Sequence, residues 1–122
     1  MKDSIIENKS KAFALNIINL YKFLVAKYHE TVLSKQILRS GTSIGANIRE
    51  ARCGSSKRDF LAKMQISFKE CVETEYWLEL IYESNYIENN LFDQLYDECL
   101  QLKKLLSSIT KTTTESLNKS TE

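Results

Sequence analysis

His29 and a row of carboxylates at Glu70, Glu73, Glu79 and Glu83 are the residues of this 122-residue chain that come nearest to catalytic or metal-binding machinery. A catalytic site needs acid, base, nucleophile or metal groups that converge. A di-iron helical bundle takes a Glu-x-x-His motif from each of two helices, and a chain with 1 histidine cannot supply both. A carboxylate row at helical spacing is more commonly a solvated or ion-paired face. The string Gly41-Thr42-Ser43-Ile44-Gly45 has glycines like a phosphate loop, but no Gly-Lys-Ser/Thr follows and no strand precedes it. Cys53, Cys71 and Cys99 are odd in number and include no C-x-x-C pair, which argues against a disulfide framework or a zinc knuckle. Cys71 and Cys99 fall on apolar stripes and read as small core residues. These residues predict a protein that is not an enzyme and carries no cofactor or metal.

The remaining polar chemistry is that of pairing and recognition. Arg39, Ser43 and Asn47 recur every four residues and form one polar stripe. Folding back at Gly54 brings Arg39 level with Glu70 and Glu73, so an Arg39–Glu73 pair is expected inside or at the edge of the fold. A buried polar group without a partner costs about 1–3 kcal/mol. Arg49, Arg52, Lys57 and Arg58 cluster about the same turn and form a candidate nucleic-acid or partner patch. Net charge is only +1, yet it is segregated. Residues 35–69 hold eight Lys or Arg against Glu50 and Asp59, whereas residues 70–98 hold nine Asp or Glu and no Lys or Arg. Such faces can pair across antiparallel helices, or the basic side of one subunit can meet the acidic side of the next.

The elements that position these groups are helices. The chain has no proline and 3 glycines, so the strongest helix breakers are missing. Apolar residues at spacings of three, four and seven mark four amphipathic segments, at about 4–28, 31–52, 57–85 and 88–110. The first carries Ile6, Phe13, Ile17, Leu20 and Leu24; the last carries Leu91, Leu95, Cys99, Leu102, Leu106 and Ile109. Gly54 is expected to end the second helix in a left-handed conformation. Ser56 is expected to cap the third by accepting an amide hydrogen near Asp59. Short connections make neighbours antiparallel, which predicts an all-α, up-down-up-down four-helix bundle over residues 1–110. Residues 111–122 are polar and read as a flexible tail.

The third segment is apolar on two sides. Leu61, Met64, Phe68, Cys71, Leu78 and Tyr82 share one face, and Ile66, Trp77 and Leu80 lie nearly opposite. One bundle cannot bury both, so Ile66, Trp77 and Leu80 form a candidate subunit interface. The longest apolar runs, such as Phe23-Leu24-Val25-Ala26, are far short of the roughly 20 residues a bilayer demands. The N-terminus lacks the apolar run of a signal peptide. A cytoplasmic protein without membrane association is expected.

The middle of the chain resembles a known family. Gln36-Ile37-Leu38-Arg39-Ser40 and Ser43-Ile44-Gly45-Ala46-Asn47-Ile48-Arg49-Glu50-Ala51 resemble the Q-L-x-R…S-I-x-x-N-I-x-E core of the four helix bundle proteins. Ser56-Lys57-Arg58-Asp59-Phe60 resembles that family's S-x-x-D-F entry to helix three, and Lys69-Glu70-Cys71-Val72-Glu73-Thr74-Glu75-Tyr76-Trp77-Leu78 its K-E-x-x-E-T-x-Y-W-L run. Members were first noticed as products of intervening sequences in bacterial 23S ribosomal RNA genes. The resemblance implies a bacterial protein that assembles as a ring of five. A related branch, the accessory variability determinant of diversity-generating retroelements, partners a reverse transcriptase and binds nucleic acid through a strongly basic surface. This chain departs from that branch in its near-neutral charge. The function expected is therefore an oligomeric scaffold that presents surfaces to a protein partner. The alternative is a nucleic-acid-binding accessory acting with ribosomal RNA or a reverse transcriptase.

Overall fold

Four amphipathic segments need a common core, and the computed structural model supplies it with four helices. It describes residues 2–121, with the side chains of 5–119; Met1 and Glu122 lie outside the described residues. The helices are α1 (Lys2–Tyr28), α2 (Leu33–Arg52), α3 (Lys57–Glu83) and α4 (Asn89–Thr121). Along each pair of neighbours, contacts climb one helix as they descend the other. Glu50 and Arg39 of α2 bridge to Lys63 and Glu70 of α3. Cys71 and Glu79 of α3 bond to Cys99 and Tyr96 of α4. Lys9 and Asn16 of α1 reach Gln101 and Glu98 of α4. Ser10 and Ile17 of α1 pack on Gly45 and Gly41 of α2. The bundle is therefore up-down-up-down, with α1 diagonal to α3 and α2 diagonal to α4. All four helices feed the core, including Phe13, Ile17 and Leu24, Ile37 and Ile44, Leu78 and Ile81, and Leu95, Leu102 and Leu106.

Each helix end has a local cause. Left-handed residues close α1 and α3, at His29 (φ 54°) and Asn85 (φ 67°). At Asn85 the Tyr86 amide donates to Ile81 and the Asn85 amide to Tyr82, the paired bonds that satisfy the last carbonyls of a helix. That turn ends α3 at Glu83, ahead of the expected 85. Glu30 shifts the start of α2 to Leu33: its carboxylate accepts the amides of Val32, Leu33 and Ser34 at 3.1, 3.0 and 2.7 Å. Ser56 caps α3, with its hydroxyl accepting the Asp59 amide at 3.1 Å.

Two expectations are corrected. Gly54 is not left-handed. Its surroundings are tight, since an added Cβ would lie 3.1 Å from the Ala51 carbonyl oxygen and 3.3 Å from Asp59 Cβ. The fourth helix, expected to end at about 110, runs on to Thr121. The hydroxyls of Thr113 and Thr114 donate to the carbonyls four residues back, at 2.8 and 2.7 Å. Lys57 donates to Ser116 Oγ at 2.6 Å, and no glycine or proline interrupts the run.

Candidate functional site

The polar stripe of α2 lies at the edge of the α2–α3 seam. Arg39 sends one guanidinium nitrogen to Glu70, at 3.1 Å, and the other to Glu73. Its side chain is 53% exposed, so this is a surface fork and not a buried pair. Ser43 and Asn47 do not join it. The Ser43 hydroxyl donates to the Arg39 carbonyl at 2.7 Å and the Asn47 amide to the Ser43 carbonyl at 2.8 Å, both within their own helix.

Beneath the fork lies a layer that the sequence reading missed. The hydroxyls of Thr74 and Ser40 are 2.9 Å apart, Thr74 also reaches the Glu70 carbonyl at 2.7 Å, and Ser67 donates to the Ile44 carbonyl at 2.9 Å. All three side chains are buried. Small hydroxyl residues let α2 and α3 approach closely while keeping every polar atom bonded. The available signal was positional: Ser40 stands midway between the core residues Ile37 and Ile44.

Arg49, Arg52, Lys57 and Arg58 are exposed at one end of the bundle, about the α2–α3 turn. Arg52 bridges to Glu7 at 2.8 Å, and Lys57 is the donor to Ser116, so part of this charge is already engaged within the chain. Lys63 with Glu50 and Lys103 with Glu75 make further bridges at 3.0 and 2.7 Å. Opposite charge thus meets across antiparallel neighbours in several places.

The outer face of α3 differs in detail from the expected one. Ile66 is exposed, whereas Trp77 and Leu80 are half-buried and Trp77 packs against the core. Its indole nitrogen is buried with no hydrogen-bond partner among the described residues. Val72 and Tyr76, four residues apart, are exposed in their place.

At the α3–α4 seam the rings of Tyr82, Phe92 and Tyr96 stack at 4.3 and 4.9 Å. Tyr96 donates to Glu79 at 2.9 Å, and this bond to a carboxylate, with partial burial, pushes its phenol up to about 12. Deeper in, Cys99 Sγ lies 3.4 Å from the Cys71 carbonyl oxygen. The neighbouring Cys71 thiol and burial raise the Cys99 thiol above its ordinary range, which keeps it a neutral, unreactive core group. Among the described residues, no group of three His, Cys, Asp or Glu is placed to hold a metal.

Such an arrangement of four antiparallel helices can be set beside known proteins. Residues 2–108 match the model of the 23S rRNA-intervening sequence protein. The chain belongs to this family. It is also similar, at 52% identity and a TM-score of 0.86, to a crystal structure from Bacteroides thetaiotaomicron described as a protein with unknown function from the S23 ribosomal protein family. That likeness covers 87% of this chain and 98% of the other. No curated protein matches. The family match stops at 108, so the last turns of α4 lie beyond it. No helix among the described residues is long and apolar enough to cross a membrane.

Proposed function

We propose that this member of the 23S rRNA-intervening sequence family is a non-catalytic cytoplasmic scaffold, which assembles with copies of itself and presents its surfaces to a protein partner. Five copies in a ring is the assembly that the family resemblance implies. The observation that carries this reading is apolar surface left outside a completed core: Ile66, Val72 and Tyr76 stand 43%, 44% and 54% exposed along the outer side of α3. Sedimentation equilibrium tests it. The expected result is a mass about five times the 14.1 kDa of one chain; a single-copy mass at micromolar concentration overturns it.

A second reading, an accessory that binds nucleic acid beside ribosomal RNA or a reverse transcriptase, is favoured by the gathering of Arg49, Arg52, Lys57 and Arg58 at one end of the bundle. Phosphate contacts release counterions, so such binding falls steeply with salt. Filter binding across a salt series separates the two, since no retention at low salt removes the second.

A further inference from the structure

Two stripes with the same spacing stand on diagonal helices. On α1, Lys11, Leu15, Ile18 and Lys22 follow at intervals of four, three and four residues, which places them on one face. Leu15 is 54% exposed, Ile18 half-buried and both lysines exposed. On α3, Val72, Tyr76, Glu79 and Glu83 repeat those intervals, with the apolar pair followed by two carboxylates. Glu79 holds Tyr96 through Oε2 only. Because α1 and α3 do not touch, the stripes look away from each other.

We infer that the occupant of the α3 stripe is the α1 stripe of a second copy of this chain, an inference that rests on the self-association proposed above. Charge selects this pairing. Two α1 stripes laid antiparallel would set Lys11 against Lys22, so the α1 face calls for an apolar stripe with acidic residues, and Val72, Tyr76, Glu79 and Glu83 form one. A contact between two different faces repeats head to tail.

The register within one chain fixes which residues meet. Ile17 lies at the height of Gly41, and Ser40 at the height of Thr74. Since α1 and α3 run in the same direction, Leu15 stands within about one helical step of Val72, Ile18 within about two of Tyr76, and Lys22 within about one of Glu79, at about 1.5 Å per step. Two copies set side by side with no shift along the helices bring residues of equal height face to face. Apolar side chains then meet apolar ones, and Lys22 comes beside Glu79, about one step ahead of it.

Mixing two damaged chains tests this. Leu15→Asp removes the α1 face and keeps the α3 face; Tyr76→Asp does the reverse. Both side chains are about half exposed, and circular dichroism checks that each variant stays helical. Each variant alone is expected to sediment at 14.1 kDa, and an equimolar mixture at twice that mass, because one intact face of each kind remains. Should either lose its helical signal, Lys22→Asp and Val72→Asp carry the same mixing test. If either variant alone keeps the wild-type mass, or the mixture stays single, this pairing of faces is wrong while self-association stands. If the wild-type chain is itself single, both fall together.

Discussion

Beside its core isoleucines, helix α2 meets its neighbours through residues with little or no side chain, whereas α4 meets its own through leucines and stacked rings. Gly41 and Gly45 let α1 approach so closely that an added Cβ would lie 3.0 Å from Ile17 and 3.1 Å from Ser10. On its other side, Ser40 meets Thr74 hydroxyl to hydroxyl. Leu95, Leu102 and Leu106 fill the core from α4, while Phe92 and Tyr96 stack at its edge. Close approach brings peptide groups and hydroxyls together, so the position of α2 is fixed by polar geometry as well as by shape. The position of α4 is fixed mainly by volume. Adding atoms should therefore damage one side of the bundle, and removing them the other.

The largest effect is expected on α4. Leu102→Ala leaves a hole at a fully buried site and should lower stability by about 2–5 kcal/mol, read by urea unfolding. On α2 the opposite change is the damaging one. Gly41→Leu should cost about 1–3 kcal/mol despite its better helix propensity, because the added side chain would press on the fully buried Ile17. The additional change Ile17→Ala should cost less in the Gly41→Leu background than in the wild type. If Gly41→Leu stabilises the chain, α2 is held by volume after all and the contrast collapses.

A finer probe lies in the buried hydroxyls. Thr74→Val keeps the shape but leaves Ser40 facing a methyl group, for an expected loss of about 1–3 kcal/mol. Pairing it with Ser40→Ala should recover part of that loss in a double-mutant cycle, because both unsatisfied partners are then gone. Strict additivity of the two losses would mean that the hydroxyls do not act as a pair.

This contrast also explains what the sequence made legible. Apolar periodicity is a statement about volume, so it located the leucines of α4 and the isoleucines of α2, and with them the four helices. Arg39 and its carboxylates could be placed because the turn at Gly54 sets the heights of α2 and α3. Ser40, Ser67 and Thr74 were missed because their hydroxyls look polar in isolation, although each is bonded and buried. The extension of α4 was missed for a related reason. Low apolar content argues for disorder, but threonines that bond back to their own helix need no core to satisfy those hydroxyls. Left-handed turns fell at His29 and Asn85, while Gly54, the residue best suited to one, sits at negative φ in tight surroundings. Val72 and Tyr76 escaped notice because Trp77 beside them is the more conspicuous aromatic, yet its ring turns inward onto the core.

The smallest effect concerns how α2 begins. Glu30 stands before the helix and gathers three amides with one carboxylate. Burial pulls its carboxyl upward, but the bonds from Ser34, Leu33 and Val32 outweigh it, and the group sits below its ordinary value of 4.5. A carboxyl that is easier to ionise when folded stabilises the fold at pH above its unfolded value, and that contribution disappears as pH falls through the folded one. Glu30→Gln removes the charge at the positive end of α2 and should lower stability near neutral pH by about 0.3–1 kcal/mol. The gap between wild type and variant should hold from neutrality down to the ordinary value, then close as acid protonates the wild-type carboxyl. Melting temperatures of both chains across that range measure it. A gap that persists below the folded value would show that the side chain acts through packing and not through its charge, and that α2, like α4, owes its position to volume even at its first turn.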